Sequence, residues 1–182
     1  MKKSIGLLEY KSIAKGIEAA DAMVKAANVE LLLSTPICPG KYITIIGGDV
    51  GAVKNAVEVG KTIGGAFLID FYVIMNVNEA VFPALTATIE IDRVASLGVI
   101  ETISAIGSIV AGDIAVKAAN VQLLEIRIAR GLGGKGFVII TGEIAAVKSA
   151  LKACTAGLED SGSIISAVEI SSPTSDLINK LM

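Results

Sequence analysis

The sequence predicts two tandem domains of the α/β (α+β) class, built from one repeated unit. Three observations lead to this prediction. The first is a repeat of about 90 residues that covers most of the 182-residue chain. The second is the alternation of short apolar runs with helical patterns inside each copy. The third is a composition of 53% hydrophobic and 19% charged residues, which supplies compact cores and excludes a disordered chain.

The repeat emerges from direct comparison of the two halves. Residues 5–34 match residues 97–126 at an offset of 92, with 14 of 30 positions identical. A two-residue insertion then changes the offset to 94, and residues 40–57 match residues 134–151 with 9 of 18 identical. This period is too long for a solenoid, so each copy is predicted to be a small domain. We place the two domains at residues 1–92 and 93–182.

Each copy is predicted to have the element order βαββαβα. In the first copy, Ile5–Glu9 suits a strand, and Ser12 suits the cap of a helix whose apolar residues recur at helical spacing as far as Ala27. Strands follow over residues 29–34, 42–46 and 67–75. A second helix begins after Asp49, and a short helix over residues 79–85 closes the unit. The second copy repeats this order down to residue 181.

Composition and charge exclude several kinds of function. The chain has no histidine, which excludes imidazole acid–base catalysis and histidine metal ligands. Its net charge of −2 argues against a nucleic-acid partner. A membrane span needs about 20 apolar residues in a row, and Glu101 interrupts the longest candidate. We therefore expect a soluble, intracellular protein without a membrane partner, whose surplus apolar surface lies between subunits.

One short loop contains the most informative motif. Pro36 and Pro39 bracket Cys38 and keep it out of a helix or a sheet interior, and Gly40 permits a tight turn. Cys38 is therefore predicted at the tip of a stiff loop, with Lys41 near enough to favour its thiolate. The cysteine is either an incidental thiol or a metal ligand. A lone thiolate cannot hold a metal, but three copies around one axis would bring three.

The corresponding loop of the second copy, residues 129–136, is rich in glycine. It does not meet the phosphate-loop pattern, because Gly136 follows Lys135 where that pattern needs Ser or Thr. We interpret it as a flexible loop that lines a shared opening. The second cysteine, Cys154, falls on an apolar helical stripe and is expected in the core.

Charged residues recur at matching positions in the two copies. Asp21 with Lys25, and Asp113 with Lys117, are spaced for surface ion pairs worth about 0.3–0.5 kcal/mol. Taken alone, each pair fits a solvated helix face.

Two further acidic pairs align between the copies. Asp49 and Glu143 are explained by helix capping. Glu9 and Glu101 end the first strand of each copy, where they are either polar partners at a subunit contact or simply exposed. No pair of carboxylates demands acid–base catalysis, so an enzyme is not expected.

The chain resembles the shell proteins of bacterial microcompartments. The residues that carry this resemblance are Ile5–Glu9, Lys25–Val29 and Gly47–Val53, and the tandem arrangement resembles the trimeric two-domain class of that family. The resemblance implies helices against a mainly antiparallel sheet in each domain, and a homotrimer that forms a flat pseudohexamer with a central pore. It also implies a place in the shell of a cytoplasmic microcompartment, in a flat lattice with other shell proteins.

The loop around Cys38 resembles that of a propanediol-utilisation subgroup, in which the loop cysteine is an iron–sulfur ligand. The resemblance implies that Cys38 of three chains binds one [4Fe-4S] cluster on the pore axis. Such a cluster implies electron transfer across the shell or redox sensing, with a redox enzyme or flavoprotein as the partner in the lumen. Lys25 and Lys117 match the edge lysine that contacts neighbouring tiles. The implied pore loops comprise Ile37, Pro39 and Gly40, and in the second copy Arg130, Gly131, Leu132 and Gly133.

Two alternatives stay open at this point. In the first, the chain is a shell tile without a cluster, and its pore passes a small metabolite. In the second, it is a small enzyme or ligand-binding protein that uses the glycine loops. A stable monomer in solution would favour the second alternative over either kind of tile.

Overall fold

The computed structural model describes residues 4–89, 93–129 and 131–181, which form two compact units. The first unit comprises Met1–Val77 with Ala129–Gly134, and the second comprises Asn78–Ile128 with Lys135–Met182. Each unit is α+β with a four-stranded antiparallel sheet, which confirms the predicted fold class. The domain bounds at 1–92 and 93–182 describe the repeat and stay a prediction.

The first unit has a sheet of strand order β2-β3-β1-β4 with all pairs antiparallel. Strand β2 runs to Ile37, beyond the predicted end at residue 34, because it is an edge strand and therefore tolerates the missing N–H of Pro36. A short 3-10 turn precedes the last strand. The elements are β1 (Ser4–Tyr10), α1 (Ile13–Ala26), β2 (Val29–Ile37), β3 (Lys41–Gly48), α2 (Val50–Gly64) and β4 (Leu68–Ile74).

Helices α1 and α2 pack on this sheet around a fully buried apolar core. Leu8, Tyr10 and Met23 each have no exposed surface. The Tyr10 hydroxyl donates a hydrogen bond to the Gly60 carbonyl at 3.2 Å, and burial raises the pKa of Tyr10 above its usual value. A β-carbon at Gly60 would stand 2.6 Å from the Met23 sulfur, so α2 can approach this closely only with glycine at that position.

The first helix of each repeat begins at a serine cap. Ser12 Oγ accepts a hydrogen bond from the Lys15 backbone N–H at 3.3 Å, as predicted, and Ser104 Oγ accepts one from Gly107 at 3.1 Å. Asp49 occupies the N-cap position of α2, but its side chain makes no capping hydrogen bond. It contributes there only as a negative charge near the helix N-terminus.

The second unit repeats the architecture, with strand order β6-β7-β5-β8. Cys154 has no exposed surface, which confirms its predicted place in the core. In the described part of the chain, no helix is long and apolar enough to cross a lipid bilayer. The elements are α3 (Val81–Thr86), β5 (Ser96–Thr102), α4 (Ala105–Ala118), β6 (Gln122–Ile128), β7 (Gly136–Gly142), α5 (Ile144–Gly157), β8 (Ile164–Ile170) and α6 (Ser175–Leu181).

The short helix α3 does not close the first copy, and that prediction was wrong. It belongs to the second unit, where it contacts β6 and α4. Val81 and Ala84 have no exposed surface, and the Asn78 backbone N–H donates to Asp113 Oδ1 at 2.8 Å. The helix therefore packs where its apolar residues are buried and its entry segment finds a buried carboxylate acceptor.

Candidate metal-binding loop around Cys38

Cys38 lies at the start of a three-residue turn, 38–40, between β2 and β3, as predicted. The Cys38–Pro39 peptide bond is cis, and Gly40 has φ of 75°, a left-handed conformation that favours glycine. Cys38 itself is half-buried. Ile37, predicted as a pore-loop residue, is the last residue of β2, pairs with Lys41 and is buried within the chain.

The Cys38 turn is held by the segment Ala129–Gly134, which belongs to the same compact unit. The Cys38 backbone N–H donates to the Ala129 carbonyl at 2.9 Å. The Gly131 backbone N–H donates in turn to Cys38 Sγ, with 3.5 Å between nitrogen and sulfur. The cysteine is therefore fixed through its backbone, and its sulfur already accepts one peptide hydrogen bond.

Glycine is needed in this segment because the backbone is left-handed at several positions. Gly131, Gly133 and Gly134 have φ of 73°, 61° and 96°. A β-carbon at Gly134 would also stand 3.2 Å from Pro39 Cδ. Leu132 is half-buried between these glycines. The remaining predicted loop residue, Arg130, lies outside the described residues.

A buried ion pair lies at the base of the turn. Lys41 Nζ contacts Glu9 Oε1 at 2.7 Å, and the Glu9 side chain has no exposed surface. Glu9 Oε2 has no hydrogen-bond partner among the described residues. Glu9 is therefore not an exposed strand-end residue, and the Lys41 ammonium is directed at a carboxylate. In the second copy, Lys135 and Glu101 form the corresponding pair at 2.9 Å.

This repeated ion pair was missed in the sequence. A signal was present, since in both copies a glutamate lies one residue before the end of the first strand and a lysine lies at or directly before the start of the third strand. The antiparallel register that pairs Glu9 with Ile43 then brings the two charges together. Glu9 lies buried because Lys41, 32 residues away, balances its charge.

Cys154 has none of the properties of the loop cysteine. Its thiol donates to the Ala111 carbonyl at 3.2 Å, and burial raises its pKa from 9.0 to about 12. Such a thiol is an inert core group rather than a ligand. Within the described residues of one chain, no three Cys, Asp or Glu side chains converge to hold a metal ion.

The donor set at Cys38 suits an iron–sulfur cluster better than a harder metal ion. The half-buried sulfur of Cys38 is a soft ligand, and its peptide hydrogen bond is of the kind that tunes cluster sulfurs. The buried carboxylate at the base of this turn, Glu9, is already paired with Lys41.

The predicted edge lysines lie at matching positions on α1 and α4 but in unlike surroundings. Lys25 Nζ contacts Asp21 at 2.5 Å, and both side chains are mostly exposed. Lys117 Nζ contacts Asp113 at 2.5 Å, and the Asp113 side chain is only 7% exposed. Their role at the edge of a tile stays a prediction.

The two repeated α+β units each match a known domain. The bacterial microcompartment (BMC) domain model matches residues 4–77 and again residues 96–173, so the chain belongs to the BMC domain family. This finding confirms the family and the fold that the sequence motifs predicted.

The chain is similar to individual microcompartment proteins over most of the tandem or over part of it. The chain is 41% identical over 165 residues to the bacterial microcompartment shell protein PduT of Citrobacter freundii, covering 91% of this chain and 90% of that protein. It is 48% identical over 59 residues to the shell protein PduA of the same organism, which is 32% of this chain and 63% of PduA. A solved microcompartments protein from Desulfitobacterium hafniense DCB matches with a TM-score of 0.89 and 45% identity, over 98% of this chain and 99% of that one.

Proposed function

We propose that the chain is a structural tile of a bacterial microcompartment shell, located in the bacterial cytoplasm. It assembles as a homotrimeric pseudohexamer with a central pore, and lies in a flat lattice with other shell proteins. The identity to PduT over most of both chains supports this role, as does the shorter match to PduA. The same relatives, which are shell proteins, support a structural rather than a catalytic function.

In this proposal, three Cys38 thiolates bind one [4Fe-4S] cluster in the pore. The observation that carries it is the hydrogen bond from Gly131 N–H to Sγ of the half-buried residue Cys38. A peptide donor stabilises thiolate charge, and hydrogen bonds to sulfur help to set the potential of such clusters. A purely structural cysteine would be expected to resemble Cys154, which is fully buried.

The residues around Cys38 prepare this arrangement. Pro36 and Pro39 restrict the backbone on both sides of the thiol, and the Ala129 carbonyl anchors its N–H. Each thiol releases its proton on ligation, so three chains give three thiolates and leave one iron for another ligand.

The bound cluster supplies one-electron chemistry. With the cluster held by Cys38, the tile would be able to pass one electron from a reduced flavoprotein or other redox enzyme in the lumen to an acceptor outside, or to respond to the redox state without passing the electron on.

A second candidate is the same tile without a cluster, with a pore that passes a small metabolite. The open space around Gly131 and Gly133 favours it, because nothing lies within 4 Å of a β-carbon built at either position. Small residues at these positions leave room for an opening. The two candidates differ in bound iron and agree on the trimer.

The experiment is anaerobic purification followed by reconstitution with iron and sulfide. Light scattering gives the number of chains, and chemical analysis with the visible spectrum gives the cluster content. The proposal expects a coloured trimer with about four iron atoms per three chains. A colourless, iron-free trimer would leave the metabolite pore as the function, and a stable monomer would reject both tiles.

A further inference from the structure

We infer that Thr174 and the helix α6 that follows it dock on α1 and β2 of a second copy of the chain. On that second copy, Thr174 and α6 occupy the position equivalent to the one that Asn78 and α3 occupy on α4 and β6. This inference rests on the proposed trimer and identifies the segment that joins one chain to the next.

The contact made by α3 provides the template. The Asn78 side chain accepts the Ala80 N–H at 3.0 Å in the turn that leads into this helix. The Asn78 backbone N–H donates at 2.8 Å to Asp113 Oδ1 on α4, and Val81 is fully buried. One polar anchor and one apolar residue thus hold the start of α3 in place.

Thr174 and α6 are the repeat equivalents of this segment. Strands β4 and β8 begin at Leu68 and Ile164, an offset of 96 residues, which relates Asn78 to Thr174. Thr174 directly precedes α6, and its Oγ1 accepts the Leu177 N–H at 3.3 Å. The same offset relates Val81 to Leu177 and Leu85 to Leu181.

The apolar residues of α6 lack the burial that α3 has. Leu177 and Leu181 are each 38% exposed, and α6 contains no buried residue in its described range. Ile178 and Leu181 border a cavity of about 490 Å³ beside Leu124, so α6 does not fill the surface of its own unit. A helix of seven residues needs tertiary contacts to be stable.

The proposed docking surface on α1 and β2 is exposed to solvent, whereas the equivalent surface on α4 and β6 is buried. Ile17 is 53% exposed and Leu31 is 44% exposed. At the offset of 92 their counterparts on α4 and β6 have no exposed surface, and these are Ile109 and Leu123. Exposed apolar residues on two elements that pack together, such as α1 and β2, mark an interaction surface.

The polar anchor is repeated as well. Asp21 corresponds to Asp113, and its side chain is 63% exposed where that of Asp113 is 7% exposed. Each aspartate holds its lysine through Oδ2, so Oδ1 of Asp21 corresponds to the oxygen that accepts Asn78 N–H. The Thr174 N–H of a second copy is the matching donor.

A second copy is the occupant because each chain carries one donor segment and one open receiving surface. Such a contact is head-to-tail, and it closes into a ring when the rotation permits. The proposed ring of three satisfies this condition.

The test introduces a cysteine pair at the anchor, Asp21→Cys with Thr174→Cys, in a Cys38→Ser background. Oxidation is expected to link chains into a covalent species of three, seen on a non-reducing gel and located by peptide mass spectrometry. The matched control is Asn78→Cys with Asp113→Cys, which should close inside one chain because these residues already touch.

The outcomes separate this inference from the proposed function. A trimer by light scattering that yields only uncrosslinked chains, while the control pair closes, would overturn the docking and leave the trimer standing. A disulfide that joins positions 21 and 174 within a single chain would do the same. A monomer in solution would reject the trimer and the docking together.

A second variant pair tests the apolar part of the contact. Leu177→Asp with Leu181→Asp should raise the trimer dissociation constant by about ten-fold or more, because two leucine side chains are no longer buried. Asn179→Asp adds charge on the opposite side of α6 and should leave assembly unchanged. Circular dichroism confirms that each variant is folded, and equal assembly of all three proteins would overturn the inference.

Discussion

Lys41 balances the charge of a glutamate that has no contact with solvent. Its Nζ lies 2.7 Å from Glu9 Oε1, and the Glu9 side chain has no exposed surface. In the second copy, the Glu101 side chain is 38% exposed against Lys135. The two equivalent ion pairs therefore lie in different dielectric surroundings, one buried at Glu9 and one exposed to solvent at Glu101.

We expect Lys41→Met to lower the free energy of unfolding by about 3–5 kcal/mol, because it leaves the buried Glu9 charge uncompensated. Lys135→Met should cost less than about 1 kcal/mol, since solvent screens an exposed pair. Urea denaturation followed by circular dichroism measures both. The double variant Glu9→Gln with Lys41→Met should recover much of the loss, and equal losses for the two lysine variants would contradict this explanation.

The two cysteines should differ completely in their effect on bound iron. Cys38→Ser should lose the visible colour and the iron while the chain stays trimeric, because the ligand is lost and the core is untouched. Cys154→Ser should keep colour and trimer, since a serine hydroxyl can donate to the Ala111 carbonyl as the thiol does. Iron analysis and light scattering on reconstituted protein decide the matter. Iron that remains in Cys38→Ser would remove Cys38 from the site.

Stability should fall at alkaline pH. Burial raises the pKa of Cys154 from 9.0 to about 12, and also raises that of Tyr10. Because the folded-state pKa lies above the unfolded-state value, the folded chain retains protons that the unfolded chain loses, and stability decreases as pH rises from 9 towards 12. The slope is about 1.4 kcal/mol per pH unit for each group.

Urea midpoints measured at intervals above about pH 8 test this dependence. Cys154→Ala should flatten the decline, because it removes one of the two groups, and Tyr10→Phe should do so independently. A Cys154→Ala profile parallel to that of the unmodified chain would contradict the assignment.

The left-handed backbone at Gly131 predicts that alanine substitution has different effects at Gly131 and Gly51, although an added β-carbon would meet no other atom at either position. Gly131→Ala should destabilise the Cys38 loop by about 1–2 kcal/mol, because its φ of 73° is strained for any residue with a β-carbon. Gly51→Ala should be neutral or stabilising, since Gly51 lies in α2 with nothing within 4 Å of the added carbon. Thermal denaturation and iron retention after reconstitution measure the contrast. The opposite order would show that the loop tolerates a side chain.

The two edge lysines should separate assembly from stability. Lys25→Ala should impair flat sheets in electron micrographs with little effect on unfolding, because its pair with Asp21 is exposed and worth only about 0.3–0.5 kcal/mol. Lys117→Ala should also lower stability by about 1–3 kcal/mol, since it leaves the buried Asp113 carboxylate with one fewer donor. Normal sheets from Lys25→Ala would remove that lysine from the tile edge.

The features that the sequence predicted well are local or repeated. The element order followed from the duplicated pattern, and Ser12 was recognisable as a cap because capping depends on a few adjacent residues. The turn at Cys38 followed from its flanking prolines for the same reason.

The features that escaped prediction depend on distant partners. Gly131 and Cys38 are 93 residues apart, and a glycine loop has no periodicity to indicate its neighbour. Helix α3 has six residues, too few to specify which sheet it joins, so the buried acceptor on Asp113 decided its place. The local sequence pattern determines whether a segment forms a helix or a strand, whereas tertiary contacts determine where that element packs.

The corresponding turns of the two repeats have diverged, with Cys38 in one and the glycines of Ala129–Gly134 in the other. Six identical domains around a hole would present any sulfur six times, which exceeds the four corners of a cubic cluster. In the proposed ring of three duplicated chains, only three cysteines surround the pore. One of the four iron atoms would then be left for a ligand from solution. In that proposal, the difference between the two turns would leave the central site open to ligand exchange.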